Sequence, residues 1–149
     1  MIINNAGRQF VGFNPMTENE IELYHPIAGS FAIVDKDGSY LLCYNVYRNQ
    51  WELPAGKREL GETYEECAIR ELFEETGQSL ESMEFKGLMK IKNVKGMIQY
   101  NPVYYSKVET IQPFIENNET NDIMLWNPGM ELNEYDEIDL YLIQAYLFL

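Results

Sequence analysis

Apolar residues recur along this chain in short runs separated by turn-forming residues, and one segment switches to helical spacing. Residues 27 to 34, Ile-Ala-Gly-Ser-Phe-Ala-Ile-Val, form the nearly continuous run expected of a buried strand. Asp37-Gly38 then supplies a tight turn, since both residues tolerate positive φ, and residues 40 to 47 read as the returning strand. Trp51-Glu52-Leu53-Pro54 is an extended piece halted by proline, and residues 55 to 62 form a loop with Gly56 and Gly61. Thr63 followed three residues later by Glu66 is a capping box, and Gly77 stands where a helix should stop, so the spacing predicts a helix over 64–76. Residues 83–92 and 98–108 read as strands around the turn 94–97. A polar acidic loop over 109–121 precedes a short strand at 123–126, which Asn127-Pro128-Gly129 breaks. Residues 133–136 can cap a final helix over 134–148. Strands with interspersed helices, without repeats or a linker, predict a single α/β layered domain over residues 1–149.

The central helix carries the first hint of chemistry. At about 100° per residue, Ile69, Leu72, Phe73 and Thr76 share the face expected to meet the core. Glu71, Glu74 and Glu75 cluster on another face. Like charges three and four residues apart destabilise a helix, and its C-terminal end disfavours anions. A divalent cation would offset that cost, and Mg²⁺ or Mn²⁺ suits hard oxygen ligands. The plainer alternative is a solvated acidic face with Arg70 paired to Glu66 or Glu74, which is the usual fate of a charge run. The small residues Cys67 and Ala68 beside the acids, and Gly56 and Gly61 in the preceding loop, leave room for a bound group and favour the cation.

Charge refines this picture. The formal net charge is -13, from 24 acidic and 11 basic residues. Such a balance argues against a nucleic-acid polymer or an anionic membrane as partner. It is unevenly spread: residues 56–77 carry -4, residues 78–107 carry +3, and residues 108–149 carry -9. The two cysteines, Cys43 and Cys67, form no CxxC pair and read as buried free thiols. No signal peptide is visible, and the longest apolar stretch, residues 140–149, is too short to span a bilayer. The expectation is a soluble protein of a reducing cytoplasm. The last residues, Tyr146-Leu147-Phe148-Leu149, would cap the core or form a homodimer contact.

One long pattern remains. Gly56, five residues, Glu62, seven residues, then Arg70-Glu71-Leu72-Phe73-Glu74-Glu75-Thr76-Gly77 resembles the Nudix box, with only the final apolar position, here Gln78, departing. The run from Gly29 through Asp37-Gly38 to Trp51-Glu52-Leu53-Pro54-Ala55-Gly56 is also similar to that family. The resemblance implies a Nudix fold, a mixed curved β-sheet sandwiched between α-helices. It implies a metal-dependent pyrophosphohydrolase that cleaves a nucleoside diphosphate linked to another moiety, with Mg²⁺ or Mn²⁺. Glu74 and Glu75 would be metal ligands, Glu71 a ligand or the base that activates water, and Gly56 a carbonyl donor to the metal. Glu62 would join the metal shell or pair with Arg70, and Arg70 would orient the carboxylates. Gln78 is no expected ligand and bears on packing more than on chemistry.

Substrate recognition must come from outside the box. Arg48 is a candidate phosphate contact, and Glu119 a candidate on the substrate side. Glu119 and Asp122 are also candidates for one late carboxylate completing the metal site. Lys86, Lys90 and Lys92 share strand parity and read as a phosphate-attracting rim or, more simply, as a solvated edge strand. His25 is read as structural. The expected substrate is a nucleotide: a nucleoside triphosphate, oxidised forms such as 8-oxo-dGTP included, or ADP-ribose or another nucleotide sugar. A catalytically silent nucleotide-binding module is the third reading.

Overall fold

The structure, a computed structural model, describes residues 1–146. The strands are β1 (Gln9–Asn14), β2 (Ser30–Lys36), β3 (Ser39–Asn45), β4 (Gln50–Glu52), β5 (Ala55–Gly56), β6 (Glu84–Lys92), β7 (Ile98–Lys107) and β8 (Thr120–Trp126). The helices are α1 (Tyr64–Thr76) and α2 (Glu137–Tyr146), with a 3₁₀ turn at Glu18–Leu23. The α1 limits are those the caps predict. Thr63 Oγ1 accepts from the Glu66 amide at 3.0 Å, Glu66 reaches back to the Thr63 amide at 2.8 Å, and Gly77 ends the helix at φ +83°. The final helix starts later than expected, at Glu137, because Asp136 is its cap and accepts from the amides of Ile138 and Asp139.

The sheet runs β1-β6-β7-β2-β3-β4, with β5 added to β2 and β8 added to β3. It is mixed: β2 and β7 are parallel, and the other paired strands run antiparallel. The β2–β3 hairpin pairs only at its tip, Asp35 with Tyr40 and Lys36 with Ser39. Beyond the tip the two strands part, β2 taking β5 while β3 takes β4 and β8. Alternation along β2 and β3 then feeds two cores. Ile33, Tyr40 and Leu42 join Trp126, Leu142 and Ile143 on the α2 side. Ala32, Val34 and Leu41 join Ala68 and Leu72 on the α1 side. The sheet thus lies between the two helices, the predicted α/β layering.

Three readings change, and a fourth is resolved in part. Phe73 is 46% exposed, while Cys67, Ala68, Leu72 and Thr76 are buried. The small residues let the helix backbone approach the sheet, so the seam runs along Ala68 and Leu72 and turns Phe73 outward. The lysines of β6 do not lie on an edge, because β1 covers that side. Strand β1 itself is absent from the apolar pattern, for it is half-exposed and irregular between Phe10 and Gly12. Finally, Tyr146 packs on Phe13 at 4.9 Å and caps the core, whereas the rest of the proposed dimer contact, residues 147–149, lies outside the described residues.

Helix α2 also holds the approach to the α1 loop. Asp139 accepts from the Leu53 amide at 2.9 Å, just before Pro54 and β5. Around it lie Asp136, Glu52 and Cys43, with Arg48 and Gln50 bonded to Glu52. Burial and then the charges of Asp136 and Glu52 push the Asp139 carboxyl well above its usual range. A folded-state value raised in this way gives stability below the ordinary carboxylate range that is lost as pH rises. Asp139→Asn keeps an acceptor for Leu53 and removes the charge. Urea unfolding should show the variant gaining stability over wild type as pH rises above the ordinary carboxylate range, with the advantage largest at alkaline pH. Equal stability of the two proteins at alkaline pH would refute this account.

Candidate metal centre

The α1 acids face the place where β5 and the start of β8 meet the helix. The close approach begins with two glycines. A Cβ on Gly29 would lie 2.6 Å from the Gly56 carbonyl oxygen, and one on Gly56 would fall on the Glu71 carboxylate. Glycine at both positions lets β5 lie against β2 while the Glu71 carboxylate rests on bare backbone. The Gly56 carbonyl also accepts from the Cys67 thiol at 3.2 Å.

Arg70 organises the acids around it. Its Nε and Nη2 grip Glu62 at 2.6 and 3.0 Å in a fork. Its Nη1 donates to Glu71 at 2.8 Å and to Glu74 at 3.2 Å, and Nη2 also reaches the Lys57 carbonyl at 3.0 Å. The Glu62 contact, above all, raises the guanidinium further above its ordinary value, and the same contact holds Glu62 below the usual carboxylate range. Of the two roles expected for Glu62, the geometry has the pair with Arg70. Glu74, its side chain 53% exposed, is turned toward Arg70 as well.

Glu71, Glu75 and Glu119 converge. Among the described residues, one ligand oxygen from each lies within 4.8 Å of the others. Glu119 arrives on the turn before β8. The Asn117 side chain accepts from the Glu119 and Thr120 amides, and the Glu119 carbonyl accepts from the Val46 amide. Thr120 Oγ1 donates to the Glu75 carbonyl at 2.6 Å and stitches β8 to α1. Asp122, the other late candidate, is exposed on β8 and outside this group.

The three carboxylates repel one another. Burial first, then the Glu71 carboxyl and the charge of Glu119, push Glu75 far above its normal range. Burial and Glu71 also raise Glu119, while Arg48 works against that shift. Glu75 Oε2 is buried with no hydrogen-bond partner. A buried acceptor left so is costly unless a ligand satisfies it. Three carboxylates with no imidazole or thiolate among them fit a hard divalent cation such as Mg²⁺ or Mn²⁺.

The NUDIX domain family model matches residues 23–144. The chain belongs to the Nudix family. The MutT-like protein of Streptomyces ambofaciens is 38% identical over 66 residues, 44% of this chain and 43% of that protein. The nucleoside triphosphatase NudI of Enterobacter sp. strain 638 is 44% identical over 54 residues, 33% of this chain and 38% of that protein. The chain therefore spans less than two thirds of the length of these curated relatives. Among solved structures, the Bacillus subtilis pyrophosphohydrolase BsRppH matches at TM-score 0.74 and 20% identity, over 98% of this chain and 92% of that one. That likeness carries the fold, and it extends across the whole Nudix domain.

Within the Nudix box the structure brings Gly56, Glu71 and Glu75 together, and it links Glu62 and Glu74 to them through Arg70. Arg48 stands nearby. Its Nε and Nη2 bond Glu52 at 2.6 and 2.9 Å, its side chain is half exposed, and Glu119 and Glu75 are close enough to contribute to its raised pKa. Glu52 has no role readable from the sequence, because four-residue spacing marks a pair only on a helix and Arg48 sits in the turn between β3 and β4. Asn117 and Thr120, which hold Glu119, sit in a polar loop where no periodicity marks them. The Gly56 contact yields a direct test. Gly56→Ala should displace the Glu71 carboxylate and weaken Mn²⁺ binding about tenfold or more by calorimetry, with the fold kept. Unchanged affinity would place the cation elsewhere.

Proposed function

We propose that this Nudix domain is a metal-dependent pyrophosphohydrolase acting on a nucleoside triphosphate, oxidised forms such as 8-oxo-dGTP included. The observation that carries this reading is the convergence of Glu71, Glu75 and Glu119, together with a Glu75 oxygen buried without a hydrogen-bond partner. Glu71, Glu75 and Glu119 would hold Mg²⁺ or Mn²⁺, with Glu74 and the Gly56 carbonyl alongside. Bound there, the cation would offset phosphate charge and make the attacking water easier to deprotonate. Glu71 serves as ligand or as the base that takes the proton of the attacking water. That water adds to a phosphorus while an anhydride P–O bond breaks. Arg70 fixes the orientation of Glu71 and Glu74, and Glu62 keeps Arg70 in place. Arg48, steered by Glu52, meets a phosphate of the substrate. The similarity to a nucleoside triphosphatase supports the substrate class.

The two buried free thiols support a reducing, cytoplasmic setting. No helix among the described residues is long and apolar enough to cross a membrane. The test is incubation with Mg²⁺ and a panel of nucleoside triphosphates, 8-oxo-dGTP, ADP-ribose and nucleotide sugars, with mass-spectrometric identification of both products. A nucleoside monophosphate and pyrophosphate are expected from a triphosphate. Glu75→Gln should cut kcat about 100-fold or more, since several kcal/mol of charge stabilisation goes with a metal ligand. Equal turnover by the variant would defeat the metal assignment. Cleavage of ADP-ribose alone would move the substrate class, and tight binding without cleavage would make the domain a sensor.

A further inference from the structure

Gln78, the one departure from the box pattern, is buried at 3% exposure and fully engaged. Its Nε2 donates to the Gln112 carbonyl at 2.8 Å, and its Oε1 accepts from the Gln112 amide at 2.7 Å. The Gln112 side chain answers with two bonds to the next residue: Oε1 accepts from the Ser79 amide at 3.2 Å and Nε2 donates to the Ser79 carbonyl at 3.1 Å. Four hydrogen bonds between two adjoining residues and one glutamine form a clasp. An apolar residue at position 78 could make none of the bonds from its own side chain.

What the clasp holds is the segment that delivers Glu119. From Gln112 the chain crosses Gly77, where any Cβ would press within 3 Å of the Pro113 carbonyl oxygen and Ile115. It then reaches Asn117, whose side chain bonds the Ile115 carbonyl, Thr120 Oγ1 and the amides of Glu119 and Thr120. The segment has no regular secondary structure from Glu109 to Asn117; Ile111 rests on the α1-side core, and Gln112 beside it carries the side-chain bonds. Its near end is fastened by Gln78 and its far end by Asn117 and Thr120, with the Gly77 crossing between.

We infer that Gln78 is a positioning residue for the metal centre: through its reciprocal bonds with Gln112 it holds the 109–118 segment so that Glu119 is presented to Glu71 and Glu75. The inference rests on the proposed reading of Glu119 as a metal carboxylate. It gives the odd residue of this box a purpose in this chain, since the clasp replaces an apolar contact with a directional one. Partners that orient a ligand set commonly govern affinity by an order of magnitude or more when removed.

Mn²⁺ binding to the metal-free protein, followed by electron paramagnetic resonance, tests the idea without any substrate. The proteins are wild type, Gln78→Leu, Glu119→Gln and the double variant, with the fold of each checked by circular dichroism. Gln78→Leu is expected to weaken Mn²⁺ binding about tenfold. Glu119→Gln should weaken it at least as much, and the double variant should bind like Glu119→Gln alone, because Gln78 acts only through Glu119. Gln112→Ala, which removes only the two bonds to Ser79, should fall between wild type and Gln78→Leu; it replaces Gln78→Leu as the deciding variant if that protein does not fold. Wild-type affinity in the deciding variant, or losses that multiply when it is combined with Glu119→Gln, would overturn the clasp. Wild-type affinity in Glu119→Gln would instead overturn the reading of Glu119 on which the inference stands.

Discussion

Repulsion among Glu71, Glu75 and Glu119 is the constraint around which this molecule is arranged. Three carboxylates within 4.8 Å, one of them buried, would separate if their backbones were free to move. They are not free. Glu71 rests against Gly56 and is held by Arg70, Glu75 lies on the sheet side of α1, and Glu119 is tied down at both its amide and its carbonyl. The scaffold pre-pays the ordering of these groups, so any cation bound there would meet oxygens already gathered.

The remaining polar groups are arranged in relays behind that cluster. Arg70 joins Glu62, Glu71, Glu74 and the Lys57 carbonyl into one unit, which ties the loop of residues 57–62 to the helix. On the other side Arg48 and Gln50 both bond Glu52, and Gln50 reaches on to Asp136 at the cap of α2. Arg70 and Arg48 balance these acids, each in a fork with a glutamate, and the charge of Arg58 also favours ionised Glu62. Removing either arginine would leave buried negative charge uncompensated, which costs more than the pair itself contributes.

What was legible in the sequence follows from the range of the interaction that carries it. Helix α1 could be bounded to the residue because Thr63, Glu66 and Gly77 act within one turn of the chain. The box marks Gly56, Glu62, Arg70, Glu71, Glu74 and Glu75 as candidates because their spacing is local. The face that α1 buries was misjudged at Phe73, since packing on a sheet favoured the small residues Cys67 and Ala68 over the larger apolar ring. Lys86, Lys90 and Lys92 lay on a strand whose neighbour, β1, comes from the far N-terminal end and carries no regular pattern. Gln78 looked like a lapse in the motif because its partner is 34 residues away. Glu119 was visible as a candidate, but the pairing of β8 with β3 that brings it home is a long-range fact.

That last pairing has a consequence for how the site comes into being. The box ends at Gln78, and Glu119 follows 41 residues later. A chain emerging from the ribosome therefore exposes the whole box well before the last carboxylate exists. Until β8 joins β3 and Thr120 bonds the Glu75 carbonyl, the cluster has two of its three acids. Completion of the fold and convergence of the three carboxylates are therefore one event, and an unfinished or partly opened chain lacks the cluster.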